Sequence, residues 1–344
     1  MNKRNVNIEF LRILSMLLIV YHHFNVHSGW DFPSTFSKRA YMIQTIGSFG
    51  KIGVIIFILI TGYFMNKGSF HLKKLFYLSN NIRFYTIFAL GIGFLFNGRI
   101  DLSSGIRSLF PIIFQQYWFV TSYVILIALQ PILQSFFIHK NRNEKIKYFF
   151  MLVIIFYIPE YFGIASNVTE YFVPGNLLSF LMIAFAGHLV NEYNDELKNK
   201  YFKYVVAIFT ITLALIFLRP IILLDFSDVF AFTANFLIGL GSLNALLFSI
   251  SLFIIIQKVK LPLHYLILSI SPLVFDVYLI HDNRIIRPIL WQHIFKNKEF
   301  MNSQFLPLIN IFEPLLIFVV CLLLAKVRVI LFNQITRRRK VKNI

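Results

Sequence analysis

Residues 7–24 read NIEFLRILSMLLIVYHHF. The stretch is long and apolar enough to cross roughly 30 Å of hydrocarbon at about 1.5 Å per residue. Only Glu9 and Arg12 interrupt it before the paired His22 and His23. Charged groups inside a membrane span are costly, so each marks a candidate functional site. On a helix that turns about 100° per residue, the eleven steps from Arg12 to His23 end about 20° from where they began. Glu9 lies three residues before Arg12 and is its surface neighbour. Glu9, Arg12 and His23 therefore share one face, and His22 falls about 100° away from His23. Arg12 and His23 stand about 16 Å apart along the axis, half the hydrocarbon thickness. The span carries an ion pair near one surface and an imidazole toward the other, in one line, as the wall of a polar channel would. The competing reading is an Arg that snorkels to the interface and a His that sits in headgroups.

The rest of the chain repeats the pattern of the first span. Hydrophobic residues make up 58% of the 344 and charged residues 14%, with 41 Phe among them. Ordinary soluble proteins are about 45–50% apolar and about 25% charged. A soluble domain of this length has no way to hide that apolar surface, whereas a bilayer accepts it. The pattern predicts an all-α polytopic membrane bundle of about ten transmembrane helices. They are placed near 8–28, 42–65, 75–97, 112–138, 146–163, 175–190, 202–219, 230–256, 263–283 and 305–330. The apolar runs continue without a long polar break, so residues 1–344 are read as one integral-membrane domain.

The net charge of +18 raises nucleic acid as a partner. Its distribution argues against that reading, because the cations sit in short loops between apolar runs and in the tail TRRRKVK. With a cytoplasmic N-terminus, the inside segments hold the larger share of Lys and Arg, and the even span number puts the C-terminus inside as well. The outside segments hold Lys38, Arg39, Arg99, Arg107, Arg219, Arg284, Arg287, Lys296 and Lys298. The opposite orientation would invert the positive-inside bias. Of the outer loops, 159–174 carries Glu160 and Glu170 with no Lys or Arg, and 284–304 is the longest and most basic. The tail is expected to touch anionic lipid headgroups. The single Cys321 lies in an apolar run and allows no disulfide within the chain. The N-terminus does not read as a cleaved signal peptide, since Glu9 and Arg12 interrupt its apolar stretch and no small-residue cleavage site follows.

Four segments carry a resemblance. Arg12 is followed by ten residues and then His23, with Glu9 at an acidic position before the Arg. IGSFGKIGVIIFILITGYF (46–64) ends in a Thr-Gly-Tyr turn. YWFVTSYVILIALQPIL (117–133) and FDVYLIHDNRIIRPILW (275–291) follow in order. Together they resemble acyltransferase family 3, the multi-spanning membrane acyltransferases, and most of all its bacterial branch that O-acetylates surface polysaccharides. Two departures stand out. Asp276 occupies a position where the family usually has a small residue. The paired basic residues expected at the start of the third span have three candidates here, Lys73, Lys74 and Arg83.

The resemblance implies acyl transfer from cytoplasmic acetyl-CoA, as donor rather than permanent cofactor, to a sugar hydroxyl of a surface polysaccharide or lipid-linked glycan, in a bacterial plasma membrane. His23 is the expected base or transient acyl carrier, since imidazole titrates near neutrality. Arg12 would orient the donor or stabilise developing charge, and Glu9 would hold Arg12. Lys73, Lys74 and Arg83 are candidates for the CoA phosphates. His281 is the second catalytic candidate, followed by Asp282 and Asn283. Trp118, Tyr123 and Asn283 are expected to line the acceptor groove. Lys51 and Glu313 are weaker candidates, near the outer ends of their spans. The other His residues show no metal-ligand spacing. The alternative function is export of a glycan or lipid-linked sugar along the same charges. That reading would favour inverted repeats or paired helix breaks, and the sequence has neither.

Overall fold

The computed structural model describes residues 4–33, 36–67, 71–161, 177–225 and 237–342. Residues 162–174 of the loop at 159–174, the start of the span expected at 230–256 and the side chains of the basic tail lie outside the described residues. The described residues form helices and no strands. The principal ones are α1 (Val6–His27), α2 (Lys38–Gly47), α3 (Gly50–Tyr63), α4 (Leu72–Asn97), α5 (Leu102–Leu109), α6 (Trp118–Ala128), α7 (Gln130–Ile138) and α8 (Arg142–Tyr161). They continue with α9 (Leu177–Glu192), α10 (Phe202–Asp225), α11 (Leu243–Lys258), α12 (His264–Ile270), α13 (Val274–His281) and α14 (Leu306–Lys342).

Five segments are long and apolar enough to cross a membrane: Val6–His27, Lys38–Tyr63, Phe202–Leu223, His264–His281 and Leu306–Phe332. The pair α6 and α7 makes a sixth if it counts as one span, although it bends by 47°. The bend falls where Pro131 opens α7, since Pro removes a backbone donor and tolerates only the first turn. Two further spans expected as straight helices are also jointed. Residues 42–65 break between α2 and α3 at Ser48 and Phe49, and residues 263–283 pass through a 3-10 turn at Ser271–Leu273, where Pro272 sits. The expected spans at 75–97 and 146–163 correspond to α4 and α8, and those at 175–190 and 230–256 to the shorter apolar helices α9 and α11.

Burial sorts these helices by role. The most apolar window of the α2–α3 segment is 72% buried, against 22% for that of α14. Ile52, Ile55, Ile56, Ile58 and Ile60 are buried completely. On α14, Leu316, Val319, Val320, Leu323 and Leu324 are exposed, the surface a lipid-facing helix presents. Helices in lipid gain little from the hydrophobic effect and depend on close van der Waals packing. Two glycines of α3 permit that closeness. A Cβ on Gly53 would stand 2.4 Å from the Ser15 carbonyl oxygen of α1, and one on Gly62 would stand 2.0 Å from the Ala184 carbonyl oxygen of α9. So α3 is clamped between α1 and α9, and α1 in turn packs on α13 and α14. That arrangement brings the end of α1 against the end of α13.

Candidate active site

His23, in the last turns of α1, meets His281, the last residue of α13, with Nδ1 of His23 2.9 Å from Nε2 of His281. The second nitrogen of His281, Nδ1, is 2.6 Å from the Val277 carbonyl oxygen one turn earlier. A carbonyl only accepts, so Nδ1 of His281 carries the proton and its Nε2 is bare. That bare nitrogen accepts from Nδ1–H of His23, which leaves Nε2 of His23 as the free lone pair. The chain from Val277 to His281 to His23 thus selects one tautomer of the outermost ring. Both rings are buried, His281 completely.

A carboxylate supports the pair. Asp282 Oδ1 lies 3.4 Å from His23 Nδ1, 3.6 Å from His27 Nε2 and 2.8 Å from Arg287 Nε. Asp282 is almost fully buried, so the guanidinium supplies the countercharge that a buried carboxylate requires. His23, His27 and Asp282 offer ligand atoms within 4.8 Å of one another, a set able in principle to hold a metal ion. Arg287 already neutralises the shared oxygen, so electrostatics favour an ion-paired cluster over a divalent cation there. Sequence spacing missed His27 and Arg287, although His27 stands at i+4 from His23 on the same helix face.

Two cavities adjoin along α1. The smaller, about 30 Å³ and enough for one water, is lined by His23, Met16, Ile19, Trp118 and Tyr278, with Val54, Phe57, Phe119 and Phe275. The larger, about 280 Å³, is lined by Arg4, Glu9, Arg12, Thr61, Tyr123 and Ser271 among others. Phe57, Phe119 and Phe275 line both and form the partition between them. In place of the continuous polar channel expected from the Arg12–His23 spacing, the structure has two separate chambers along that face of α1. Tyr278 was not a candidate from sequence, yet its buried hydroxyl has no hydrogen-bond partner, and its ring centroid lies 6.3 Å from those of both His23 and His281.

The expected Glu9–Arg12 ion pair is present, and Arg4 joins it as the closer partner. Glu9 binds Arg4 at 2.8 Å, and Arg12 Nε is 3.7 Å from Glu9. Arg4 is anchored by Ser271 Oγ at 2.7 Å and the Leu268 carbonyl at 3.1 Å. Arg12 Nε is buried without a hydrogen-bond partner. So Arg4, which sequence reading counted only as a loop cation, holds Glu9, and Arg12 keeps unused donor capacity in the cavity wall.

The remaining candidates divide. Trp118 lines the His23 chamber, whereas Tyr123 lines the Arg12 chamber, with its hydroxyl 3.3 Å from Thr61 Oγ1. Asn283 is buried and donates to the Tyr117 hydroxyl at 2.9 Å, which itself donates to the Leu279 carbonyl at 2.7 Å. That network braces the end of α13. Arg83 donates to the Leu109 carbonyl at 2.9 Å and to Asn80 at 3.1 Å, which ties α4 to α5. Lys73 and Lys74 are exposed in the first turn of α4, and neither they nor Arg83 line the Arg12 chamber. His22 Nδ1 lies 2.7 Å from the Gly47 carbonyl, on the face away from His23. Asp276 pairs with Arg328 of α14 at 2.7 Å and accepts from Asn81 of α4 at 2.7 Å. It is a buried polar staple across three helices, which gives the acid a structural role.

Apolar helices that present lipid-facing surfaces define a multi-pass membrane protein, and they enclose a histidine pair beside a charged cavity. The acyltransferase domain of acyltransferase family 3 matches residues 5–327, nearly the whole chain, and the chain belongs to that family. It is a membrane acyltransferase. No curated protein and no solved structure gives a match.

Proposed function

We propose that this acyltransferase is an O-acetyltransferase that moves an acetyl group from cytoplasmic acetyl-CoA to a hydroxyl of a cell-surface or exported polysaccharide, or of its lipid-linked precursor. In this reading residues 1–344 form one domain of about ten spans in a bacterial plasma membrane, with both termini cytoplasmic. The observation that carries the reading is the line of two adjoining chambers, one with the unused donor of Arg12 and the other with the free nitrogen of His23. The export alternative has no comparable observation behind it.

The chemistry follows from the side chains. A hydroxyl attacks the thioester carbonyl poorly until a base takes its proton in the transition state. Nε2 of His23 takes that proton as the C–O bond forms. The C–S bond then breaks, and the proton is returned to the departing thiolate. The transient imidazolium keeps its Nδ1–H on His281, with the Asp282 carboxylate 3.4 Å away to stabilise the charge. The hydroxyl of Tyr278, whose side chain lines the same chamber, is the donor for the tetrahedral oxyanion. Arg12 and Arg4 receive the acidic phosphates of CoA, so that the pantetheine arm lies along α1 past the three phenylalanines.

The test is reconstitution in sealed proteoliposomes with radiolabelled acetyl-CoA on one side and a glycan acceptor on the other. Label should reach the glycan across the membrane, and only with the basic-loop face toward the donor. Label that stays on the donor side, or a reaction equally fast from either face, would remove this reading. Reporter fusions after residues 70, 142 and 340 should read cytoplasmic, and those after 167 and 297 external.

A further inference from the structure

Lys51 is placed where a lysine is costly. It stands in the first turn of α3, where the helix dipole is positive and repels a cation. It lies within the membrane-crossing segment Lys38–Tyr63. Its ammonium sits 4.6 Å from the centroid of the Trp118 ring, and among the described residues it has no ion pair. Asp282, the acid that faces the histidines, is already matched by Arg287 at 2.8 Å. Lys51 is partly buried, and a cation–π contact recovers only part of the hydration that such an ammonium gives up. A snorkelling lysine would reach for the interface, but this one lies over an aromatic wall of the catalytic chamber.

Its position gives the cation a use. Val54, one turn further along α3, lines the His23 chamber, and so does Trp118. Lys51 does not line that chamber itself, but along α3 it stands one turn beyond Val54, on the side away from Phe57 and the Arg12 cavity, with its ammonium over Trp118 of the chamber wall. If the donor enters past Arg12, the Lys51 end belongs to the acceptor. We propose that Lys51 is an acceptor-binding residue that pairs with an anionic group of the glycan, a carboxylate or a phosphate close to the hydroxyl that is acetylated. The inference rests on the acetyl-transfer reading above and adds the charge of the acceptor. An anion there would satisfy the ammonium and the helix dipole together, while the indole packs on a sugar face.

The experiment uses the full chain in proteoliposomes, with acetyl-CoA and three matched oligosaccharides: a neutral N-acetylglucosamine oligomer, one whose alternate sugars carry a lactyl carboxylate, and one carrying a sugar phosphate. Wild type should favour at least one anionic acceptor over the neutral one by about tenfold or more in kcat/KM, and the preferred arm tells carboxylate from phosphate. Lys51→Met should lower transfer to that acceptor by roughly 10- to 100-fold, the worth of a lost charge-assisted hydrogen bond, and change the neutral one by less than about twofold. Lys51→Arg should keep the preference, because it keeps the charge and the aromatic contact. Equal preference by wild type overturns the proposal. So does an equal loss on all three acceptors in Lys51→Met at normal membrane abundance, which would place the lysine at the reacting carbonyl or in packing. Transfer by wild type to none of the three overturns the glycan reading and this inference with it.

Discussion

The two ends of α1 solve opposite problems. At the Arg12 end, three charged side chains line an open cavity of about 280 Å³, and Arg12 Nε, ion-paired with Glu9, makes no hydrogen bond. At the His23 end, three of the four ring nitrogens of His23 and His281 are committed, in a chain that runs from Val277 through His281 to His23. An open site with spare donors suits a polyanion that arrives and leaves. A closed relay suits a base that must keep one tautomer through every turnover. In the proposed mechanism binding and chemistry are divided along a single helix, and substitutions at the two ends should then fail in different ways.

The sharpest contrast is expected from His23→Ala. General-base catalysis typically contributes 10²–10⁴-fold, so acyl transfer should fall by that amount while acetyl-CoA still binds. The measurement is label transfer beside donor affinity in the same proteoliposomes. Loss of donor binding in parallel would mean that the two ends are not separable.

His281→Ala comes next. Without its acceptor, Nδ1–H of His23 loses its preference and the unproductive tautomer gains population. Loss of an orienting partner usually costs about 10- to 100-fold. The loss should appear in kcat with the donor KM unchanged, and His281→Gln should recover part of it through an amide oxygen able to accept. A change confined to KM would make His281 part of the binding site.

Arg12→Lys should act in the opposite sense. Lysine keeps the charge but gives up the planar fork, so the apparent KM for acetyl-CoA should rise by about tenfold with kcat little changed. Unchanged KM would send the donor phosphates elsewhere, to Lys73, Lys74 or Arg83.

How much of this was legible in the sequence follows from the range of each interaction. Helical periodicity put Glu9, Arg12 and His23 on one face, because those relations lie within one helix. It could not reveal that Arg4 rather than Arg12 binds Glu9 most closely, since Arg4 precedes the helix and is anchored by Ser271. His281 was legible only by resemblance, and its contact with His23 spans 258 residues of chain. Asp276 stayed without a role until α4 and α14 supplied Asn81 and Arg328. The helix joints were half legible. Pro131 and Pro272 are local signals, whereas the apolar run through Ser48 and Phe49 hid the break between α2 and α3.

The smallest effect is expected one residue away from the largest. His22 and His23 are neighbours of the same type on the same helix, with ring centroids 5.8 Å apart. Only helix geometry separates them. The 100° turn sends His23 toward His281 and Asp282 and sends His22 toward the end of α2, where Nδ1 meets the Gly47 carbonyl at 2.7 Å. Loss of that hydrogen bond should cost about 0.5–1.5 kcal/mol of stability, read as a few degrees in the thermal unfolding of the detergent-solubilised protein. Activity per folded molecule in His22→Ala should stay within about threefold of wild type, because no atom of the relay has changed. His22→Asn, whose amide can donate to the same carbonyl, should restore the stability and leave the activity where it was. Should His22→Ala at equal membrane abundance lose as much transfer as His23→Ala, the division between a catalytic and a packing histidine collapses. The tautomer argument would then have to be rebuilt around both rings.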